Sequence, residues 1–379
     1  MNAPLRCALG AALALAMPAA AADVSLRNEV QRAIDRGAAW MLASQNSNGW
    51  WSTADHPAIT ALALTALNGD PSGRAAKVNP AAMKKGFAFI LSTAQPDGGF
   101  YVRELANYNT AVSMMALLTA KDPAHDAALR KARAFLVGSQ IDLGEAGKLD
   151  TPLDGGIGYG SKYKHSDLNN TLLALEALYY SKHLMADRPA GESKDLDWKA
   201  AIAFLQNCQN LPSHNKEPWA TDSPENKGGF IYYPGHSMAG GATNSATGRV
   251  SLRSYGSASY AGLLSYAYAD LKRDDPRVTA VFDWLRANYT LEENPGMGAQ
   301  GLYYYLHTMT KALTLHGVDT LQTKDGRRIN WRKDVALKLL NLQARDASWA
   351  NDTARWWEKD PVLSTAYSLI ALEMIHRGL

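Results

Sequence analysis

Side chains able to hold or move a proton gather at three places, each beside an apolar run. Asp167 and Asn170 stand in Ser166-Asp-Leu-Asn-Asn170, and Arg253, Tyr255 and Tyr260 in Arg253-Ser-Tyr-Gly-Ser-Ala-Ser-Tyr260. Tyr303, Tyr304 and His307 stand in Tyr303-Tyr-Tyr-Leu-His307. An imidazole among phenols, an amide and a guanidinium can do general acid–base work, because His titrates near neutrality. On that reading Asp167, His307, Tyr255 and Tyr260 are the catalytic candidates. Asn170, Arg253, Tyr303 and Tyr304 contact the substrate, with Trp51 as a further aromatic contact. One reaction within reach is β-elimination on an acidic polysaccharide, where Asn or Arg neutralises the uronate and His or Tyr takes the α-proton.

A plainer account competes for each residue. Asp, Asn and Ser ahead of a helix accept hydrogen bonds from its free N–H groups. Capping suffices for Asp55 before Pro57 and for Asp360 before Pro361. Asp167 fits either role. Tyr303, Tyr304 and Tyr305 are consecutive and cannot all face one cavity, so packing accounts for part of that run. His307 could be a satisfied core histidine. His125, His183 and His316 lie near helix ends and are expected at the surface, and His165 in a solvated loop. No two histidines have the i, i+4 spacing of a helical metal site, and neither metal nor cofactor is expected.

The elements that must position these residues repeat. Apolar segments begin at Thr60, Thr110, Thr171, Tyr260, Thr308 and Thr365. Each is rich in Ala and Leu and apolar nearly all round, which predicts helices buried on every side. Between them, residues 30–44, 80–93, 127–139, 198–207, 276–288 and 331–342 show helical spacing with charges on one face. Gly-rich turns join the two sets: Gln45-Asn-Ser-Asn-Gly49-Trp-Trp51, Gln95-Pro-Asp-Gly-Gly99-Phe-Tyr101, Gly155-Gly-Ile-Gly-Tyr159, Gly228-Gly-Phe-Ile-Tyr232, residues 294–305 and Gln343 to Trp349. Six such hairpins, with no polar cap at either end, predict a closed all-α ring, an α6–α6 toroid around a central cavity. The residues before the inner helices then lie at one mouth. The long segment 210–253, rich in Pro, Gly, Ser and Asn, is expected over that mouth as a lid or substrate-facing loop.

Composition narrows the classes. With 379 residues, 46% hydrophobic and 20% charged, the chain can build a large core. A net charge of +3 gives no case for nucleic acid or an anionic membrane surface. Tyr (17) and Trp (10) outnumber Phe (7), which suits wet cavities because both carry polar tips. Arg6, the apolar run 7–17 and Ala20-Ala21-Ala22 read as a signal peptide over residues 1–22. That run is shorter than the ~20 residues a membrane span needs. We therefore expect an exported protein, periplasmic or extracellular, with residues 23–379 forming one toroid domain. Removal of Cys7 would leave Cys208 alone, with no disulfide.

Gln45-Asn-Ser-Asn-Gly49-Trp-Trp51 has the QxxxGxW form of the QW repeat. The chain resembles the terpenoid cyclase and protein prenyltransferase toroid superfamily. Residues 155–159, 166–178, 229–234, 253–265 and 294–313 are similar to bacterial squalene cyclase-related repeat proteins. The resemblance implies the α–α toroid and a hydrophobic or polyprenyl-like molecule in its cavity. It does not carry over the family's best known chemistries. The Asp-x-Asp-Asp acid of class II cyclases is absent: Asp195-Leu-Asp197-Trp198 lacks the last Asp. Prenyltransferase zinc needs an Asp-x-Cys pair, whereas residues 252–257 hold neither, and His307 alone cannot hold the ion. A Gly-Cys-Gly-Glu-Gln thioester motif is also missing. The expectation is thus a cavity-binding, cyclase-like protein, with a polysaccharide-acting enzyme or a non-catalytic glycan- or protein-binding scaffold as the alternatives. Prenyl transfer, nucleic acid binding and integral membrane insertion are not expected.

Overall fold

The computed structural model describes residues 19–162, 164–185 and 195–379, with side chains from Val24 onward. The basic and apolar parts of the expected export signal, Arg6 and residues 7–17, lie outside the described residues. Outer and inner helices alternate along the rest. Outer α1 (Ala19–Ala43) is followed by inner α2 (Pro57–Gly69). After the short α3 (Arg74–Val78) come outer α4 (Pro80–Ser92) and inner α5 (Ala106–Ala120). The pairs α6 (Asp126–Gly138) and α7 (Leu168–Tyr180), then α8 (Trp198–Asn207) and α9 (Gly256–Tyr268), continue the alternation. Next are α10 (Pro276–Ala287) with α11 (Leu302–Leu315), and α12 (Trp331–Leu342) with α13 (Pro361–Gly378). Each inner helix packs on the next, and α13 packs back on α2. The ring is closed, as expected. Two small antiparallel hairpins decorate it: β1 (Gly241–Thr243) with β2 (Val250–Leu252), and β3 (Leu321–Gln322) with β4 (Arg328–Ile329).

The glutamines at the repeated turns have a common job, except Gln95, whose side chain bonds only Thr93 and Tyr101 of its own turn. Gln45 Nε2 donates to the carbonyls of Gly49 and Ala82, both at 2.9 Å, tying its turn to the start of α4. Gln140 bonds Gly155 and the α8 N-cap Asp197, and Gln209 bonds Gly228 and Arg277 of α10. Gln343 reaches Ala347 and Ala33, stapling α12 to α1 where the ring closes. Gln140 and Gln209 lie 15 and 19 residues from the glycines they hold, so they do not show as part of a local motif.

A hydroxyl early in five of the inner helices clamps the same turns. Thr60, Thr110, Thr171 and Thr365 accept from the backbone N–H of Trp51, Phe100, Ile157 and Trp349 at 2.9–3.0 Å. Ser259 does so for Phe230, at 3.0 Å. These residues are the fourth or fifth of their helices. Thr308 is the seventh of α11 and bonds only the carbonyl of Tyr304. The fifth repeat is therefore out of phase with the other five, and His307 sits about a turn deeper than Asn170.

Glycine is required at Gly155. Its φ is +84°, and a Cβ there would lie 2.0 Å from the Ala200 carbonyl oxygen. The turn backbone thereby lies directly on α8.

Capping follows expectation at Asp360, which accepts from the Val362 N–H at 2.8 Å. It fails at Asp55: His56 is the N-cap of α2, with no side-chain bond. The histidine expectations also need correction. His125 and His316 are buried, packed on Phe87 and Phe282, because the loops after the inner helices fold back under the outer ones. His165 is half-buried and lies on the Tyr233 ring at 4.6 Å. Asp197 caps α8 and Asp195 pairs with buried Arg133, so both members of the incomplete acidic motif are occupied structurally.

Candidate functional site: the central cavity

Inside the ring is a cavity of about 1270 Å³ that follows the inner helices from end to end. Its wall is mostly aliphatic, with Ile59, Leu62, Val112, Met115, Leu173, Leu363 and Ile370 facing in. At the N-terminal end of the helices Tyr108, Tyr159, Tyr232, Tyr255, Tyr304 and Tyr367 form a phenolic collar. Hydroxyls pair within it, Tyr108 with Tyr367 and Tyr159 with Tyr232. Burial holds Tyr255 and Tyr367 well above the usual phenol range, so these hydroxyls stay protonated donors. Trp356 and Trp357 stand at this end, partly exposed and both at positive φ. The Trp357 ring meets His56 edge-on at 5.2 Å, and Arg355 lies over Trp356 at 4.6 Å.

Four of the residues singled out in the sequence line this cavity: Asn170, Tyr255, Tyr304 and His307. Asp167 stands directly behind Asn170. As N-cap of α7 it accepts from the Asn170 backbone N–H at 2.9 Å and from Asn170 Nδ2 at 2.7 Å. Burial pushes its carboxyl up to about 6 against those hydrogen bonds, which pull the other way. Asp167 thus orients Asn170, whose Oδ1 has no protein partner.

The other four lie elsewhere. Trp51 is wholly buried in the outer core, its Nε1 donating to Met41 at 2.7 Å. Tyr260 is buried against Tyr305, 5.7 Å between centroids, with its hydroxyl unpartnered. Tyr303 donates to the Ala350 carbonyl at 3.2 Å. Arg253 is exposed just after β2. From the 210–253 segment only Tyr232 and Met238 line the cavity, while β1 and the turn after it are exposed.

The deeper polar groups were not anticipated. Glu176 of α7 and Lys311 of α11 form an ion pair on the wall, Nζ to Oε2 2.6 Å, reaching across α9. The Tyr268 hydroxyl also bonds Glu176. One turn from Lys311, His307 is 7% exposed, and its Nδ1 has no partner. Burial, then the Lys311 cation, hold it well below the usual imidazole range, so the ring is neutral. Glu358 caps α11 from outside the helix, accepting from the Tyr304 N–H at 2.7 Å, while Asn351 donates to its other oxygen. At the far end Glu373 is buried with Oε1 unpartnered, and burial pushes its carboxyl well above the usual range.

A signal for these groups exists. Glu176, Lys311 and Glu373 are the only charges within the inner helices ahead of their last turns, and all three face the cavity. A charge in a helix buried on every side is seldom there for packing. Among the described residues no three His, Cys, Asp or Glu side chains converge as a metal site, and no helix is long and apolar enough to cross a membrane.

No protein-family model and no curated protein matches the chain. Solved structures do. A variant of the type II terpene cyclase MstE from Scytonema, in complex with merosterolic acid A as product, aligns over 94% of this chain and 99% of its own. The TM-score is 0.57 at 13% identity. Another MstE variant, holding geranylgeranyl dihydroxybenzoate as substrate, aligns over the same shares with TM-score 0.56 and 13% identity. A protein from Actinoplanes aligns at 0.50 and 13% identity over 91% of this chain and 99% of that one. At such identity the likeness is one of fold, and it agrees with the closed ring and its cavity: this chain has the α–α toroid fold of the type II terpene cyclases.

Proposed function

We propose that the protein binds an elongated apolar molecule of polyprenyl type in the central cavity and acts on it in a cyclase- or isomerase-like way. The observation that carries this is the wall itself: a space of about 1270 Å³, aliphatic along its length, with polar groups in a few fixed places. Neighbours of the same fold hold a geranylgeranyl compound and a merosterolic acid, which supports the reading. A cyclase-type reaction begins when a carboxylic acid O–H breaks and its proton forms a C–H bond with an alkene; the cation left is taken up by the next π bond. Loss of one C–H proton from the last cation then closes an alkene, restores the proton balance and leaves the mass unchanged. With no Asp-x-Asp-Asp present, Glu373 is the cavity-facing carboxyl best suited to remain protonated for that step. Asp167 serves by positioning Asn170. The polysaccharide alternative loses support: of its two proposed uronate partners, Arg253 does not reach the cavity, and Asn170, which does, brings no positive charge.

The test is thermal unfolding with geranylgeraniol, squalene and uronic-acid oligosaccharides in parallel, followed by mass spectrometry of the incubated lipid. A rise in Tm with the lipids, and a product of unchanged mass and altered retention that Glu373→Gln no longer forms, are expected. Stabilisation by the oligosaccharide alone would overturn the reading. We also propose export, on Arg6, the apolar run and Ala20-Ala21-Ala22. N-terminal sequencing of protein from the culture medium or periplasm should begin at Asp23; full-length chain confined to the cytoplasm would refute it.

A further inference from the structure

Halfway along an aliphatic wall, one cluster stands ready to take an oxygen atom. His307 and Lys311 are one turn apart on α11 and so share a face. His307 Nδ1 is buried without a partner. Lys311 has three N–H donors; Glu176 takes it through both carboxylate oxygens, and no partner for a third is present among the described residues. A neutral imidazole nitrogen and an ammonium N–H, side by side on an apolar surface, match a group that both donates and accepts.

Charge then narrows the ligand. Glu176 cancels Lys311, and the imidazole is uncharged, so the middle of the cavity has no net charge. At the far end the lining cations Lys121 and Arg377 are equalled in number by the acids Asp122 and Asp126. Among the described residues no group of unmatched cations gathers on the wall as a diphosphate would require. A carboxylate or diphosphate would lose its water without a counter-charge, whereas a hydroxyl would exchange its water for two protein partners.

Building on the cavity-binding reading, we infer that the ligand is an uncharged isoprenoid alcohol whose hydroxyl is held between the His307 imidazole and Lys311 Nζ. Its chain then lies along the aliphatic wall toward Glu373.

The experiment uses the full chain and three C20 probes: geranylgeraniol, geranylgeranyl diphosphate and the hydrocarbon phytene. Affinity is read by quenching of tryptophan fluorescence, since Trp356 and Trp357 line the cavity. Geranylgeraniol should bind on the order of tenfold more tightly than phytene, the worth of one or two buried hydrogen bonds, and more tightly than the diphosphate. His307→Phe should bring the alcohol-to-hydrocarbon ratio to about one. If that variant does not fold, the double variant Lys311→Met, Glu176→Gln should reduce the same ratio. Tightest binding by the diphosphate, or an alcohol preference unchanged in these variants, would overturn the inference. Equal binding of alcohol and hydrocarbon would overturn it while leaving the cavity reading intact; no binding by any probe would remove both.

Discussion

Asp167 is a buried N-cap whose charge costs the fold stability, and this can be measured. Its carboxyl is pushed from 3.8 to about 6 in the folded protein, chiefly by burial. A raised acid favours the protonated form, so the stability it contributes is fully present below pH 3.8 and lost as pH rises through about 6. The span is a little over two units, which at 1.36 kcal/mol each is about 3 kcal/mol. Asn caps as well as Asp and carries no charge. In Asp167→Asn the new Oδ1 can accept the Asn170 N–H. The Asn170 amide can turn so that its unpartnered Oδ1 takes the new N–H. The two proteins should therefore be of similar stability at pH 3.5. The variant should gain about 3 kcal/mol relative to the natural chain by pH 7.5, most of it between pH 4 and 6.5. Urea unfolding across that range gives the difference directly, and taking it cancels other titrating groups such as Glu358 and Glu373. A flat difference would sink the argument. One that falls with pH would show that the helix dipole and the two hydrogen bonds outweigh desolvation.

Other consequences concern the wall and the turns. Lys311→Met leaves Glu176 charged and unpaired in the wall, and urea unfolding should show a loss of about 3–5 kcal/mol, largely recovered on adding Glu176→Leu. Gly155→Ala drives a Cβ into the Ala200 carbonyl at positive φ; its Tm should fall much further than that of Gly147→Ala, where φ is also positive but space is open. Gln343→Ala removes donors from the Ala33 and Ala347 carbonyls at the closure of the ring, and chemical unfolding should register roughly 1–3 kcal/mol.

Much of the fold was legible because its signals are local. Segments such as Thr60 to Leu67 are apolar all round, and only burial on every side accounts for that. Gly49 and Trp51 recur at fixed spacing from Gln45 because the turn closes within seven residues. The fifth repeat misled for the same reason. Thr308 imitates the other anchors in type, yet it makes none of their turn contacts, and aligning on it placed His307 at the mouth.

The site was less legible. Tyr255, Tyr260, Tyr303 and Tyr304 are alike in sequence, but two line the cavity and two do not, because that depends on how each helix is rotated in the ring. Tyr108, Tyr159 and Tyr367 join the collar from three separate repeats.

The sequence alone thus determined the alternation of helices and the turns that join them, since both follow from propensity, period and near-neighbour hydrogen bonds, and six hairpins without polar caps implied the closed ring. Tertiary structure alone decided what the ring encloses. Glu176 and Lys311 are 135 residues apart and meet only because the ring brings α7 and α11 to either side of α9. A charge in an apolar helix marks that something must compensate it; which partner does so, and whether both then face an open cavity, depends on packing across the whole molecule.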